Sequence, residues 1–167
     1  MSQAYLGLGS NLGDSFNTMQ AAVNALNAVQ GIRVVSVAPV YVSSPMGGIA
    51  TGQFLNTVVQ IDTTIQPDAL LSCIKELEVA LGRNPRARWD SREIDIDLLI
   101  YDDLVLTTPA LSLPHPGILS RDFVLIPLCD IAPDLIHPVT MKKISEISVP
   151  ETGIFVSGTH PQQLAIK

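Results

Sequence analysis

Residues 82–103, GRNPRARWDSREIDIDLLIYDD, open on a glycine and carry Arg83, Arg86, Arg88 and Arg92 around Trp89. They then enter the alternation Ile94-Asp95-Ile96-Asp97-Leu98-Leu99-Ile100. A period of two marks a strand, whose successive side chains point to opposite faces. Asp95 and Asp97 therefore share one face, and Ile94, Ile96, Leu98 and Ile100 are expected on the other, against a core. Two neighbouring carboxylates repel, and Asp is a poor strand former. Such a pair can be a solvated strand edge that discourages pairing, but the arginines just upstream supply another reason for it. Half of the ten basic residues fall at 83, 86, 88, 92 and 121. A hard divalent cation, most plausibly Mg²⁺, takes one or two protein carboxylates and completes its shell with water and phosphate oxygens. Arginines fork onto phosphates. The combination is suited to chemistry on a nucleotide triphosphate.

The 167 residues are enough for one domain with a real core, and 47% apolar against 16% charged residues describes a folded, rather greasy globule. A net charge of −6 argues against a broad nucleic-acid surface and suits a focused basic pocket for a small anion. No stretch approaches the roughly 18 apolar residues of a membrane helix. The opening MSQAYLGLGSNLGD has neither a basic n-region nor a cleavage pattern, so a cytoplasmic protein is expected. Cys73 and Cys129 match no metal spacing and read as free thiols.

Outward from the central stretch, the chain alternates regularly. Gln3 to Gly9 reads as a strand. Its glycines at 7, 9 and 13 have the wrong spacing for a dinucleotide fingerprint, and no acidic residue occurs between Asp14 and Asp62. Phe16, Met19, Val23, Leu26 and Val29 predict a helix over about 15–30, capped by Asp14 or Ser15 and stopped at Gly31. Ile32 to Val42 predicts a strand interrupted near Pro39. An aperiodic loop, 43–53, precedes the strand Phe54–Asp62, on which Phe54, Asn56, Val58 and Gln60 share a face. Pro67, Leu70, Ile74, Leu77 and Leu81 predict a second helix ending at Gly82. A short strand from Leu104, a turn at Leu113–Gly117 and a helix from about Ser120 to Ala132 follow. The order βαββαβ is the ferredoxin-like α+β arrangement, an antiparallel sheet with both helices on one face. The open face is expected to carry Phe54, Asn56, Asp95 and Asp97.

Four segments in order, AYLGLGSNLGD, FLN, GRxxxxRWxxRxxDxDLL and LPHP…R.F..PL, resemble the 6-hydroxymethyl-7,8-dihydropterin pyrophosphokinases of folate biosynthesis. The likeness runs from residue 4 to about 138. It implies a monomeric enzyme of one domain, residues 1–167, that moves the pyrophosphoryl group of ATP onto a reduced pterin and releases AMP. By the resemblance, Asp95 and Asp97 hold two Mg²⁺ ions. Arg83 and Arg92 join them as the catalytic set, and Arg83, Arg92, Arg121 and His115 contact phosphates. Glu78, Arg88, Trp89 and the Leu98 backbone complete the nucleotide site, with Arg86, Arg88 and Trp89 on a closing loop. Phe54 and Phe123 are expected to stack on the pterin, the Asn56 amide to pair with its edge, and Ser43, Ser44, Met46, Trp89 and Asp95 to complete its pocket. Three departures stand out: a segment between Arg83 and Arg88 one residue shorter than usual, Phe54 where tyrosine is common, and Pro116 where an aromatic is frequent. A Mg²⁺-dependent nucleotide phosphohydrolase would share the acidic pair without needing the Phe54/Asn56/Phe123 pocket. A ferredoxin-like small-molecule-binding module would need neither the acidic pair nor the arginine loop.

Overall fold

The computed structural model describes residues 1–43, 54–83, 93–149 and 156–167, with backbone only at 156 and 157. β1 (Ser2–Ser10) leads into α1 (Ser15–Ala28). The Asp14 carboxylate caps that helix by accepting the Asn17 N–H at 3.3 Å. β2 (Ile32–Val37), β3 (Tyr41–Ser43), β4 (Phe54–Thr63), α2 (Pro67–Ala80) and β5 (Asp95–Tyr101) follow. Beyond them come a small hairpin of β6 (Leu106–Thr107) and β7 (Ser112–Leu113), then α3 (Gly117–Ser120), α4 (Asp122–Ile131) and β8 (Val156–Thr159).

Among the described residues the main sheet runs β5-β1-β4-β3-β8, with β2 also on β4, and every pairing is antiparallel. β2 and β3 are two lengths of one broken strand lying along the same edge of β4: Val37 pairs with Val59, Ala38 donates to the Val58 carbonyl at 2.9 Å, and Tyr41 pairs with Asn56. The break falls at Pro39, which has no N–H to give, as the sequence predicts. The βαββαβ core is therefore the expected ferredoxin-like one. α1 and α2 cover one face, burying Met19, Val23, Leu26, Leu70 and Ile74 against Leu6, Leu8, Ile61, Ile94 and Ile96.

Two expectations are corrected. The second face is not wholly open, because the apolar α4 needs a partner and buries Val124, Leu125 and Leu128 with Tyr5, Val58, Leu99 and Ile100 across half of it. Ile100 also leaves the face of Ile94, Ile96 and Leu98. Between Tyr5 and Leu6 the register with β5 slips, so that Tyr5 faces Ile100 and Leu6 faces Leu98. The extra residue is a bulge, and it turns Leu99 and Ile100 to the same side, under α4.

Candidate active site

The half of the second face left uncovered by α4 holds the polar residues singled out from the sequence. Residues opposite one another in antiparallel strands share a face. Asn56, Gly9 and Asp95 form one row across β4, β1 and β5, and Val58, Gly7 and Asp97 form the next. Neither glycine puts a side chain between the Asn56 amide and the two carboxylates: Gly9 is buried beside that amide, and Gly7 lies against Leu99. A methyl group at residue 9 would come within 3.0 Å of Asn56 Oδ1, whereas one at residue 7 would only touch Leu99 at 3.5 Å. The spacing of these glycines excludes a dinucleotide loop and by itself assigns them no other role. Their period of two, matching that of Asp95 and Asp97, was the signal that they belong on the same face.

Asn56 is 6% exposed, and its Nδ2 donates to Ser43 Oγ at 2.7 Å. Its Oδ1 stands on the Gly9 side, where a methyl at residue 9 would come within 3.0 Å. Ser43 is itself buried and stands opposite Phe54 on the neighbouring strand. Phe54 is half-buried at the end of β4, on the face of Asn56. Phe123, also half-buried, enters the same side from the first turn of α4. Tyr41, opposite Asn56, donates to the Asp130 carboxylate of α4. Burial and that hydrogen bond push its phenol up to about 12.

The carboxylates sit amid cations. Arg83 Nη1 reaches Asp95 Oδ1 at 3.0 Å and also pairs with Glu78, whose side chain is 1% exposed. Lys75 Nζ contacts the other oxygen of Glu78 at 2.9 Å. A buried carboxylate is tolerated when paired on both oxygens, so Glu78 orients the Arg83 guanidinium towards β5. Gly82, with φ of 99°, turns the chain out of α2 so that Arg83 can fold back over Glu78.

β5 is the end strand of the sheet, and its outer edge borders a cleft of ≈310 Å³ lined by Lys75, Asp97, Leu98, Ser112 and His115 among others. The Leu98 side chain points into the helix-side core, so only its backbone is offered to this cleft. His115 is pinned by its backbone N–H, which donates to the Leu99 carbonyl at 2.8 Å beside the bulge. Its Nδ1 accepts the Gly117 N–H at 2.9 Å, which leaves the proton on Nε2 as a donor. Burial, then the charge of Arg121, holds its pKa below the usual histidine value; Asp95 pulls the other way and Lys75 adds to the lowering. The ring is therefore neutral near pH 7. Arg121 is extended rather than helical, at the junction of α3 and α4, and its carbonyl accepts from Val124 and Leu125.

The structure thus brings together Glu78, Arg83, Asp95, Asp97, the Leu98 backbone, His115 and Arg121 on one side. Ser43, Phe54, Asn56 and Phe123 stand on the other. Ser44, Met46, Arg86, Arg88, Trp89 and Arg92 lie outside the described residues. His137, by contrast, is buried away from the cleft and organises its own turn, with Nδ1 accepting from Val139 and Thr140. Among the described residues no helix is long and apolar enough to cross a membrane.

Residues 5–133 match the family model described as 7,8-dihydro-6-hydroxymethylpterin-pyrophosphokinase. The chain is 46% identical over 136 residues to the 2-amino-4-hydroxy-6-hydroxymethyldihydropteridine pyrophosphokinase of Methylorubrum extorquens, covering 81% of this chain and 86% of that one. To the protein of the same name from Aquifex aeolicus it is 40% identical, covering 91% of this chain and 94% of the relative. It is 39% identical to the folic acid synthesis protein fol1 of Schizosaccharomyces pombe, of which it spans only 21% while 90% of its own length is covered. A solved Plasmodium falciparum HPPK-DHPS, determined with pteroate, shares the fold at a TM-score of 0.70 with 16% identity, over 86% of this chain and 41% of that one. Taken with the carboxylate pair, the arginine bridge and the buried Asn56 amide beside Gly9, these matches place the chain in the 7,8-dihydro-6-hydroxymethylpterin-pyrophosphokinase family.

Proposed function

We propose that this chain transfers the pyrophosphoryl group of ATP to the hydroxymethyl oxygen of 6-hydroxymethyl-7,8-dihydropterin, releasing AMP, as a step of folate biosynthesis. The observation that carries the reading is the row Asn56–Gly9–Asp95, which sets an amide able to read a heterocycle edge beside a carboxylate in an arginine-bridged cluster. The pterin is held between Phe54 and Phe123, which stack on its two faces beside the Asn56 amide. The Asn56 carbonyl and its remaining N–H answer the donors and acceptors of the ring. An analogue without those groups would leave the buried amide unpaired, which is the source of discrimination.

ATP occupies the cleft along β5, with its base on the free backbone edge at Leu98. Its phosphates meet His115 Nε2–H, Arg121 and Arg83. The pterin hydroxyl oxygen forms the new bond to the β-phosphorus as the bond from that phosphorus to the α-phosphate oxygen breaks. The hydroxyl proton passes to solvent, and AMP departs with the bond pair. Charge that develops on the phosphoryl oxygens is met by donors already in place. Glu78, being buried and fully paired, serves through Arg83 and not by touching nucleotide.

Asp95 and Asp97 offer two hard oxygen donors side by side, and among the described residues no group of three or more His, Cys, Asp or Glu converges. That donor set fits Mg²⁺, which accepts one or two carboxylates and otherwise prefers water and phosphate oxygens. Asp95 and Asp97 would hold two such ions, which when bound supply charge neutralisation across the triphosphate. Arg92, Arg88 and Trp89 complete the enclosure from the loop, and Ser44 and Met46 the pterin pocket, by the family pattern. The chain works as a monomer of one domain in the cytoplasm.

The test is incubation with ATP, Mg²⁺ and the pterin, resolving nucleotides by chromatography, beside an Asp95→Asn, Asp97→Asn double variant. Pterin-dependent AMP from the wild type alone is the expected result. ADP and phosphate formed without pterin would instead identify a phosphohydrolase.

A further inference from the structure

Residues 156–167 lie beyond the family-matched span of 5–133. We propose that they form a positioning element for the pterin-reading edge of the sheet, with Gln163 as the side chain that fastens it. The inference rests on the function proposed above.

β3 is three residues long and is cut off from β2 at Pro39, so its inner ladder to β4 is short. It nevertheless carries Ser43, whose hydroxyl holds the Asn56 amide at 2.7 Å. A short edge strand frays unless something covers its outer side. β8 provides that cover, pairing Tyr41 with Thr159, Val42 with Gly158 and Ser43 with Val156. The pairing continues past the end of the strand. The His160 N–H donates to the Val40 carbonyl at 2.7 Å, and the Val40 N–H donates to Gln163 Oε1 at 2.9 Å. Gln163 Nε2 in turn donates to the His160 carbonyl at 2.8 Å. One side-chain amide thus stands in for the next peptide of the ladder, and both backbone groups of the fully buried Val40 are satisfied by the tail.

The far end of the tail is moored to α1. The His160 ring stacks on Phe16 with centroids 5.2 Å apart. Gln20 makes a reciprocal pair with Ala165, donating to its carbonyl at 2.8 Å and accepting its N–H at 2.9 Å. Asn27 Nδ2 donates to the Lys167 carbonyl at 2.9 Å, while its Oδ1 accepts from Val34 on β2. The route from α1 to the substrate pocket is therefore continuous: α1, tail, Val40, β3, Ser43, Asn56. Loosening the tail lets β3 shift, and Ser43 then no longer sets the amide that reads the pterin. The nucleotide cleft lies at the opposite end of the sheet, along β5, and does not share these contacts.

The predicted signature is selective. Gln163→Ala in the full chain raises the KM for the pterin by about two- to tenfold, the equivalent of one ordinary hydrogen bond, and leaves the KM for ATP and the nucleotide products unchanged. Deletion of 156–167 has a larger effect of the same kind. Steady-state kinetics in both substrates, with thermal melts of each variant, provide the readout. A lower Tm with both KM values unchanged would show a purely structural tail and overturn the proposal, as would equal rises in both. Where the deletion does not fold, Gln163→Ala decides alone. A wild type that makes no pterin-dependent AMP refutes the proposed function itself, which is a separate and recognisable failure.

Discussion

Gly9→Ala puts the proposed reading of the pterin by Asn56 to its most direct trial. The new methyl carbon would stand 3.0 Å from Asn56 Oδ1, so one of the two must give by several tenths of an ångström. Neither is free to do so. Residue 9 is paired on both sides, to Asn56 on β4 and Asp95 on β5. The Asn56 amide is 6% exposed and tied to Ser43 at 2.7 Å. If the amide rotates it gives up that bond, at about 1 kcal/mol, and a buried group left unpaired costs about 1–3 kcal/mol. That sum falls on the stability of the fold; the pterin loses the bonds of the displaced amide, about 1–3 kcal/mol, so at 1.36 kcal/mol per decade its KM should rise about five- to 160-fold. Gly7→Ala is the internal control, because its methyl meets only the end of Leu99 at 3.5 Å, an ordinary contact. Steady-state kinetics with the pterin varied at saturating ATP separate the two, and thermal melts show that both variants fold. A Gly9→Ala enzyme with the pterin KM of the wild type would refute the idea that residue 9 must lack a side chain for Asn56 to read the pterin.

Two further perturbations probe the charges. Glu78→Gln leaves Arg83 and Lys75 without their buried partner. Both cations are partly exposed, at 29% and 53%, and can turn to water, so the loss of stability should be about 1–2 kcal/mol. That corresponds to a melting point lower by about 2–8 °C. A fall in kcat that persists with both substrates saturating is expected from a misdirected Arg83, and unchanged kinetics would count against its place in the site. Tyr41 has its folded pKa raised to about 12. Its contribution to stability is therefore full below the unfolded value of about 10 and fades as pH climbs through 12. Alkaline unfolding curves of wild type and Tyr41→Phe should converge over that interval; curves that stay parallel would remove the Asp130 bond from the account.

The periodicities made the core legible. Met19, Val23 and Leu26 on α1, and Leu70 and Ile74 on α2, are buried where their spacing put them. Pro39 marks the break in the edge strand, and Asp95, Asp97 and Asn56 meet on the half of one face on which α4 does not pack. Local patterns could not reveal what depends on distant pairing. The bulge at Leu99 arises from the register between β5 and β1, 90-odd residues apart, and no property of LLIY announces it. The seating of α4 was hidden for a similar reason: an apolar helix declares that it needs cover but not which surface provides it. Nor does the helical spacing of 67–81 announce the burial of Glu78 under Arg83, which depends on how the chain turns at Gly82. The tail was legible only as irregular sequence, since its contacts reach back to Gln20 and Val40 across the whole length of the chain.

The bulge also constrains how this strand can change over evolutionary time. Upstream of it, odd-numbered residues serve the substrate face; downstream, Ile100 takes over that orientation and Tyr101 returns to the helix side. It works as a parity switch, letting one seven-residue strand be amphipathic in two phases. Substitution can explore either half, but insertion or deletion of one residue would invert the phase of one of them. Either the two aspartates would turn into the apolar layer, or Leu99 and Ile100 would leave α4 without its floor. Length variation should therefore be absent between Asp95 and Tyr101 and be displaced to the segments on either side.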